Sequence, residues 1–453
     1  MPAVRARCSL PLTCPWPTMF LLPPWTRPPF RRFRPSPPKT PSPIQGRKMF
    51  DSSSDIVVGL EIGTSKICAV VAELNEQGAP NIIGIGQCQS QGVRKAEITD
   101  TRQAAADVRE AIAEAEKCAD AMIKSVFLGV SGAHVRGLSN RGVHPIVSAD
   151  REITDEDVQD VIKNAKVINI PPGHKILHAI RQDFALDGTP GIANPVGMSG
   201  SRLEVDVHVI HGDENRIRNA IRVVNDLQIE VDGVAFNGLA ASLALLTPEQ
   251  KEMGALVIDL GAGVTNYTVY TGGFIKHSGT LAVGGDHLSN DLAYGLKVPL
   301  GRAELLKVEY GAALPLEEAN GQNLTFSNDV GLPVKTVNRY HLFQIMSARL
   351  EEIFQLIESD LTQARLIDHL RSGVYLCGGG ARIPRIELLA EQVFQVPVAI
   401  GRATAISGVQ SALDQPEFAT AIGLVKYGAF NQKRAKGFME TIREKISGMI
   451  HLF

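Results

Sequence analysis

Two short glycine-centred turns, about two hundred residues apart, constrain this chain more than any other feature. The first lies in V-V-G-L-E-I-G-T-S-K-I-C-A-V-V, with Glu61 two residues ahead of Gly63. The second lies in A-L-V-I-D-L-G-A-G-V-T-N-Y-T-V-Y, with Asp259 ahead of Gly261 and Gly263. Each reads as a β-hairpin: an apolar run, a turn of small residues, then a run rich in β-branched side chains. Either one alone is most simply a tight turn that needs glycine. Two of them, one opening each half, predict a duplicated α/β unit with a cleft between the halves. They also tip the balance toward a nucleotide, because backbone N–H groups of a Gly/Thr/Ser turn approach phosphate oxygens closely and a flanking carboxylate holds hydrated Mg²⁺. On this reading Gly63, Thr64, Ser65 and Lys66 face Gly261, Ala262, Gly263 and Val264 across the phosphates, with Glu61 and Asp259 on the metal.

The first forty-eight residues differ in kind from the rest. They hold 13 of the 26 prolines, both tryptophans and nine Lys/Arg, with no Asp or Glu. Proline recurs too often for a signal-peptide core or an amphipathic transit helix. Residues 1–48 therefore read as a disordered Pro/Arg-rich extension, with Met49 the expected native start; a real basic arm is the other reading. Without the nine cations, 37 Lys/Arg face 48 Asp/Glu and the formal charge moves from −2 to −11. An acidic body without a basic stripe argues against nucleic acid as a partner. Cys68, Cys88, Cys118 and Cys377 stand singly, which fits a reducing compartment and gives no zinc pattern. No apolar run reaches the ~18 residues of a membrane span.

Along the chain, 101–118 reads as an Ala/Glu-rich amphipathic helix and Ser125 to Gly132 as a buried strand ending in small residues. From about 133 to 212 the pattern becomes self-contained: a helix opened by Thr154 with Asp157 at capping-box spacing, then strand-like runs at Lys175–Phe184 and Arg202–Ile210. That segment is expected to be an inserted α+β subdomain. It divides the first half into 49–132 and 213–254, and the second half runs over 255–428. There, Asp286 is expected to cap a helix over Gly284 and Gly285, whose amides would face a phosphate. Residues 300–371 read as an outer subdomain, helical with a polar loop, including a long helix from Tyr340 to His369. After the strand at Gly373–Cys377, the triplet Gly378, Gly379 and Gly380 would let a flat base lie on bare backbone; a plain strand-to-helix turn explains it equally well.

Taken in order, these elements resemble the actin, hexokinase and heat-shock-chaperone ATPase superfamily: phosphate turns L-E-I-G-T-S-K and I-D-L-G-A-G-V-T-N, an adenosine loop L-C-G-G-G-A-R-I-P, and a connecting helix T-A-I-G-L-V-K-Y-G. Within it the chain is similar to the FtsA family of actin-like bacterial division proteins from about Asp55 to the C-terminus. The insertion follows S-V-F-L-G-V-S-G, where that family carries its displaced subdomain, and the strings N-P-V-G-M-S-G and V-Y-T-G-G-F-I-K-H are similar as well. The resemblance implies an actin-like fold, ATP with Mg²⁺, and at most weak ATPase activity. One departure bears on turnover. The family often reads G-G-G-T followed shortly by Asp in the second turn, whereas here Asn266 stands in place of a carboxylate that would orient metal or water. Asn266→Asp is accordingly the change expected to raise turnover.

The C-terminus adds a separate signal. At about 100° per residue, Phe438, Met439, Ile442, Ile446, Met449, Ile450, Leu452 and Phe453 fall within an arc of about 160°. Residues 429–437, with Lys433, Arg434 and Lys436, form a polar basic linker ahead of it. This predicts an interfacial helix over 438–453 that inserts Phe438, Ile442, Ile446, Met449, Ile450 and Phe453 into an anionic lipid surface. Burial of eight apolar side chains is worth on the order of 10 kcal/mol gross. Ordering sixteen residues at ~1 kcal/mol each costs as much or more, so one tail binds marginally and linked tails bind by avidity.

The resemblance implies a protein that polymerises on the cytoplasmic face of the inner membrane at the division site. Its partners would be the C-terminal peptide of the tubulin-like FtsZ, further copies of itself, later divisome proteins and anionic lipids. Two alternatives share the fold: a PilM-like scaffold of type IV pilus assembly, and a small-molecule kinase. The terminal helix argues against both, and the kinase also lacks a spare carboxylate beyond the phosphate turns.

Overall fold

The computed structural model describes residues 56–147, 150–315, 321–327, 333–404, 406–408 and 414–433. The extension at 1–48 and the positions expected to meet lipid, from Phe438 to Phe453, lie outside the described residues.

The first half opens with β1 (Ile56–Ile62), β2 (Lys66–Leu74) and β3 (Pro80–Gln89), an antiparallel meander. A small hairpin of β4 (Val93–Arg94) and β5 (Glu97–Ile98) follows, turning through Lys95 and Ala96, both in the left-handed region. Helix α1 (Thr101–Ala119) starts where Asp100 accepts the N–H groups of Arg102 and Gln103. Its alanines permit very close packing on β3, since a Cβ added at Gly86 would lie 2.0 Å from the Ala111 carbonyl oxygen. Strand β6 (Ser125–Val130) then runs parallel to β1.

The segment that interrupts this half contains β7 (Arg136–Pro145), α2 (Asp155–Lys166), β8 (His174–Leu186), β9 (Thr189–Ile192) and β10 (Arg202–Asp213). Its four strands form a separate sheet in the order β7-β10-β8-β9. Thr154 and Asp157 make the reciprocal capping box expected at the start of α2. Val161 and Ala165 of that helix are buried with Leu203, Val205, Val207 and Val209 of the sheet.

The chain returns through α3 (Glu214–Asn225), β11 (Glu230–Phe236), α4 (Asn237–Leu245) and α5 (Pro248–Met253). The second half has β12 (Ala255–Leu260), β13 (Thr265–Thr271), β14 (Phe274–Leu281), α6 (Gly285–Leu296), α7 (Leu300–Tyr310), β15 (Asn323–Ser327), β16 (Pro333–Asn338), α8 (Arg339–Gln363), β17 (Val374–Cys377), α9 (Ile386–Phe394) and β18 (Val398–Ile400). After β19 (Ser407–Gly408), a helix α10 covers 419–433.

The sheets repeat one plan. The first runs β11-β6-β1-β2-β3, with β19 added beside β3, and the second runs β18-β17-β12-β13-β14. Each pairs two antiparallel meander joints with two parallel crossovers. Two departures from the sequence reading occur at 300–371. The polar loop contains the β15–β16 hairpin, and α8 stops at Gln363, with a separate 3₁₀ turn at Ile367–His369. The apolar stripe of α8 (Phe343, Met346, Leu350, Ile353, Phe354, Ile357, Leu361) is wholly buried, which is why it persists as one helix.

Two features tie the halves together. The interrupting segment leans on β14, where His208 is fully buried between Ser278 (Nε2 to Oγ, 2.8 Å) and Ser139 (Nδ1 to Oγ, 3.0 Å), and Gln182 donates to the Ile275 carbonyl at 3.1 Å. Helix α10 lies against β1 and α4: a Cβ at Gly59 would meet the Ala421 oxygen at 2.4 Å, and one at Gly423 the Ala240 oxygen at 1.8 Å. Lys426 fixes it further by donating to the carbonyls of Leu243, Ala244 and Thr404.

Candidate nucleotide site

The two turns close in the same way. The Gly63 N–H donates to the Lys66 carbonyl and the Gly261 N–H to the Val264 carbonyl, each at 3.0 Å. A Cβ at Gly63 would lie 2.6 Å from the Lys66 oxygen, and one at Gly261 2.8 Å from the Val264 oxygen. So the plain reading holds for these two glycines, because the turn itself requires them. Gly263 differs. A side chain there would strike the opposite half, 2.4 Å from Thr64 Oγ1 and 2.7 Å from Lys95 Cα. Thr64 in turn accepts the Ala96 N–H at 2.8 Å, so the β4–β5 hairpin closes the mouth beside it.

Between the turns lies a cavity of about 390 Å³. Every residue predicted for nucleotide or metal borders it except Gly284. The Gly284–Gly285 segment does not serve as expected. Gly284, not Asp286, is the N-cap of α6, and its N–H donates to His287 Nδ1. The next two amides donate to the second turn, Gly285 to the Gly261 carbonyl at 2.9 Å and Asp286 to the Ala262 carbonyl at 2.8 Å. These donors brace the turn from behind, so a phosphate would not find them free.

The glycine triplet serves three distinct needs. Gly378 has φ +81°, and a Cβ there would lie 2.5 Å from Asp259 Oδ1. A Cβ at Gly380 would press into Leu260 at 2.4 Å, whereas one at Gly379 would meet nothing within 4 Å. Only Gly379 therefore offers open backbone to a flat group. Arg382 and Glu417, paired at 2.8 Å, border the same side.

The carboxylates on the floor are unequal. Asp259 Oδ2 accepts Asn266 Nδ2 at 3.1 Å and Thr420 Oγ1 at 3.3 Å. Asn266 Oδ1 in turn accepts Ser131 Oγ at 2.5 Å from the first half and Thr280 Oγ1 at 3.1 Å from β14. Glu61 Oε2 and Lys66 Nζ are buried with no hydrogen-bond partner, although Lys66 Nζ stands 4.1 Å over the Phe418 ring. Burial first, then the charge of Asp259, pushes Glu61 up to about 8, and Lys66 offsets part of this. Burial likewise raises Asp259, against the hydrogen bonds from Asn266 and Thr420. Buried polar atoms rarely go unpaired in a native protein. An acceptor and a cation left open beside free turn amides fit a metal–phosphate group. Glu61 and Asp259 would hold Mg²⁺, which supplies charge neutralisation at the phosphates, and Lys66 would meet a phosphate oxygen.

Sequence reasoning missed Gln87, Ser131, Asn237, Glu304, Lys307, Arg382 and Glu417, which also border the cavity. Arg382 belongs to the L-C-G-G-G-A-R-I-P loop, and the others come from strand ends and helices that carry no local motif. Ser131 was within reach, as the end of the small-residue strand S-V-F-L-G-V-S-G. Among the described residues no cluster of His, Cys, Asp and Glu could hold a metal by itself, and no helix is long and apolar enough to cross a membrane.

Comparison with known proteins agrees with this architecture. A family model described as "Cell division protein FtsA" matches residues 256–423, and one described as "SHS2 domain inserted in FTSA" matches 132–211. The chain is 35% identical over 380 residues to cell division protein FtsA of Escherichia coli K12, spanning 82% of this chain and 90% of that one. It is 39% identical over 382 residues to the protein of that name from Borreliella burgdorferi, spanning 84% and 92%. Among solved structures, the PilM-PilN type IV pilus biogenesis complex aligns with TM-score 0.57 at 17% identity, over 82% of this chain and 98% of that one, which shows a shared actin-like fold. With that fold, the inserted subdomain and identity across nearly the full length of both relatives, the chain belongs to the FtsA family of cell division proteins.

Proposed function

We propose that this division protein binds ATP with Mg²⁺ between its halves and, in that state, polymerises at the cytoplasmic membrane surface and anchors FtsZ there. The observation that carries the nucleotide is the pair of buried, unpartnered groups, Glu61 Oε2 and Lys66 Nζ, between two turns of identical closure. Amides of Thr64, Ser65 and Lys66 on one side and of Ala262, Gly263 and Val264 on the other would cradle the phosphates. The base would lie on Gly379. Titration calorimetry with ATP, with and without Mg²⁺, tests this. Binding that needs the metal is expected; no binding in either condition overturns the site.

Family membership and the basic, apolar tail sequence support the membrane role. Removing the residues after Gly437, or making Ile446→Glu, should release the protein from anionic vesicles while ATP binding persists. A truncated protein that still sediments with the vesicles would show the tail to be an ordinary packing helix. Family resemblance also suggests the outer subdomain at about 300–371 for the FtsZ C-terminal peptide, and the insertion at about 133–212 for subunit contacts or later division proteins. A crosslink map placing the peptide exclusively on the first half would overturn the first of these.

A further inference from the structure

Five of the chain's eleven histidines stand where the insertion meets the body. The neck has two crossings, one into β7 and one out of β10, where Arg136 and His211 pair in register. There His134 Nδ1 accepts the N–H of Asp213, the N-cap of α3, at 3.1 Å. His174 opens β8, and its Nδ1 lies 3.0 Å from that of His211, which is buried. Further along β8, His178 is buried against Tyr427 of α10, with ring centroids 5.7 Å apart. Its Nε2 accepts the Phe236 N–H of the first half at 3.0 Å. His208 of β10 makes the contact with the second half, between Ser139 and Ser278.

These contacts favour neutral rings. A backbone N–H only donates, so His134 and His178 must each present a bare nitrogen, which an imidazolium lacks. Two Nδ1 atoms 3.0 Å apart share one hydrogen, and a further proton would set two N–H groups against each other. His208 can bond to two hydroxyls in either state, but as a cation it would be fully buried beside His277 of β14. We propose that the insertion is a proton-released arm: as these imidazoles take up protons, the β7-β10-β8-β9 sheet comes off the body while the two halves stay folded. Burial holds His178 down at about 4 and His208 at about 3, and it lowers His134 and His211 as well. The facing charges leave that direction standing. Asp213 favours the cation at His134, but His174 opposes it there, and Glu97 on the nearby cavity wall is already paired with Arg216. His174 and Arg136 disfavour the cation at His211, as His277 and His178 do at His208; His277 is itself held by Asp360 of α8. A released imidazole titrates near ~6.5. Docking is therefore complete above that pH and is lost as pH falls from there toward the docked values. His178 and His208 alone make it fall about 100-fold per pH unit. The inference does not depend on the ATP reading.

Native-state hydrogen exchange on the full chain, corrected for the intrinsic pH dependence of exchange, tests this between about pH 7.5 and about pH 5.5. In the parent, the amides of Phe236 and Asp213, whose acceptors are His178 and His134, should lose protection about 100-fold per pH unit below ~6.5. The strands β1, β2 and β12 should keep theirs. A double variant, His178→Gln with His208→Gln, removes two of the titrating groups and should flatten the slope at Asp213 by about 100-fold per pH unit. If that variant is already open at neutral pH, the parent decides: titration of its histidine ring protons by NMR should place His178 and His208 well below ~6.5. Loss of protection in β1 and β12 together with the neck would be plain acid unfolding and would overturn the arm. So would constant protection at Phe236 and Asp213, a docked double variant with the parent's slope, or His178 and His208 titrating near ~6.5 in the docked protein.

Discussion

The two phosphate turns are built on one plan, but their carboxylates are treated in opposite ways. Glu61 and Asp259 occupy matching places in β1 and β12, each beside a turn closed at 3.0 Å. Asp259 is held by Asn266 and Thr420, and through Asn266 it reaches Ser131 in the other half. Glu61 Oε2 has no such partner. Duplication has therefore preserved the backbone and divided the labour: one carboxylate organises the floor, the other remains available. The same substitution at the two sites should have the same effect on ligand and opposite effects on stability.

The largest effect tests that division directly. Glu61→Gln and Asp259→Asn should each weaken Mg·ATP by about 10- to 100-fold. Without nucleotide, Glu61→Gln should raise the melting midpoint, since it removes a buried, unpaired acid. Asp259→Asn should lower it, at a cost of ~1–3 kcal/mol, because the oxygen that accepts from Asn266 and Thr420 loses its charge. Midpoints that move in the same direction would erase the distinction between the turns.

Gly263→Val comes next. Its side chain would be driven into Thr64 and Lys95, so the cleft must open and Mg·ATP binding should fall below detection, with a stability cost of ~1–3 kcal/mol. Gly261→Ala should instead disturb only its own turn, through the Val264 carbonyl.

Asn266→Asp is less benign than its sequence suggests. It would bring a third carboxylate to the floor, with an acid oxygen where Nδ2 now donates to Asp259 at 3.1 Å. Nucleotide-free protein should be destabilised by a few kcal/mol, and Mg²⁺ should restore it. Melting curves with and without the metal show this; a metal-independent loss would place the damage in the Ser131–Thr280 contacts. Any rise in turnover would appear only in the metal-loaded protein.

The two carboxylates also differ in the pH dependence of stability. Glu61 titrates near 8 in the fold against an ordinary 4.5, so between these values the folded chain holds a proton that the unfolded chain has lost. The stabilisation is complete below pH 4.5 and disappears as pH rises through about 8. Nucleotide-free melting midpoints should fall across that window, and Glu61→Gln should flatten the slope. A flat slope in the parent would mean that Glu61 is already ionised and compensated.

Both hairpins, the long helix at 339 and the capping box at Thr154 could be read from sequence because each is set by local periodicity or turn chemistry. The insertion's attachment to β14 could not. His208, Ser139 and Ser278 are distant in sequence and meet only because β7 and β10 pack beside the second half. The attachment lies close to the cleft, since Thr280, two residues from Ser278, donates to Asn266. Gly284 and Gly285 depart from the sequence expectation for a similar reason. A glycine pair at a helix start signals free amides, and only the fold reveals that the second turn's carbonyls already take them.

Helix α10 gives these local facts a mechanical meaning. Its first turn touches Asp259 through Thr420, its middle is bolted by Lys426 to three carbonyls, and its last described residue is Lys433. At ~1.5 Å per residue it is a rod of about 22 Å, rooted beside the floor of the cleft and packed along its length, since a Cβ at Gly428 would lie 2.5 Å from Val57 of β1. Seated on β1 and α4 and hydrogen-bonded at its root to Asp259, it links the carboxylate of the second half to the sheet of the first.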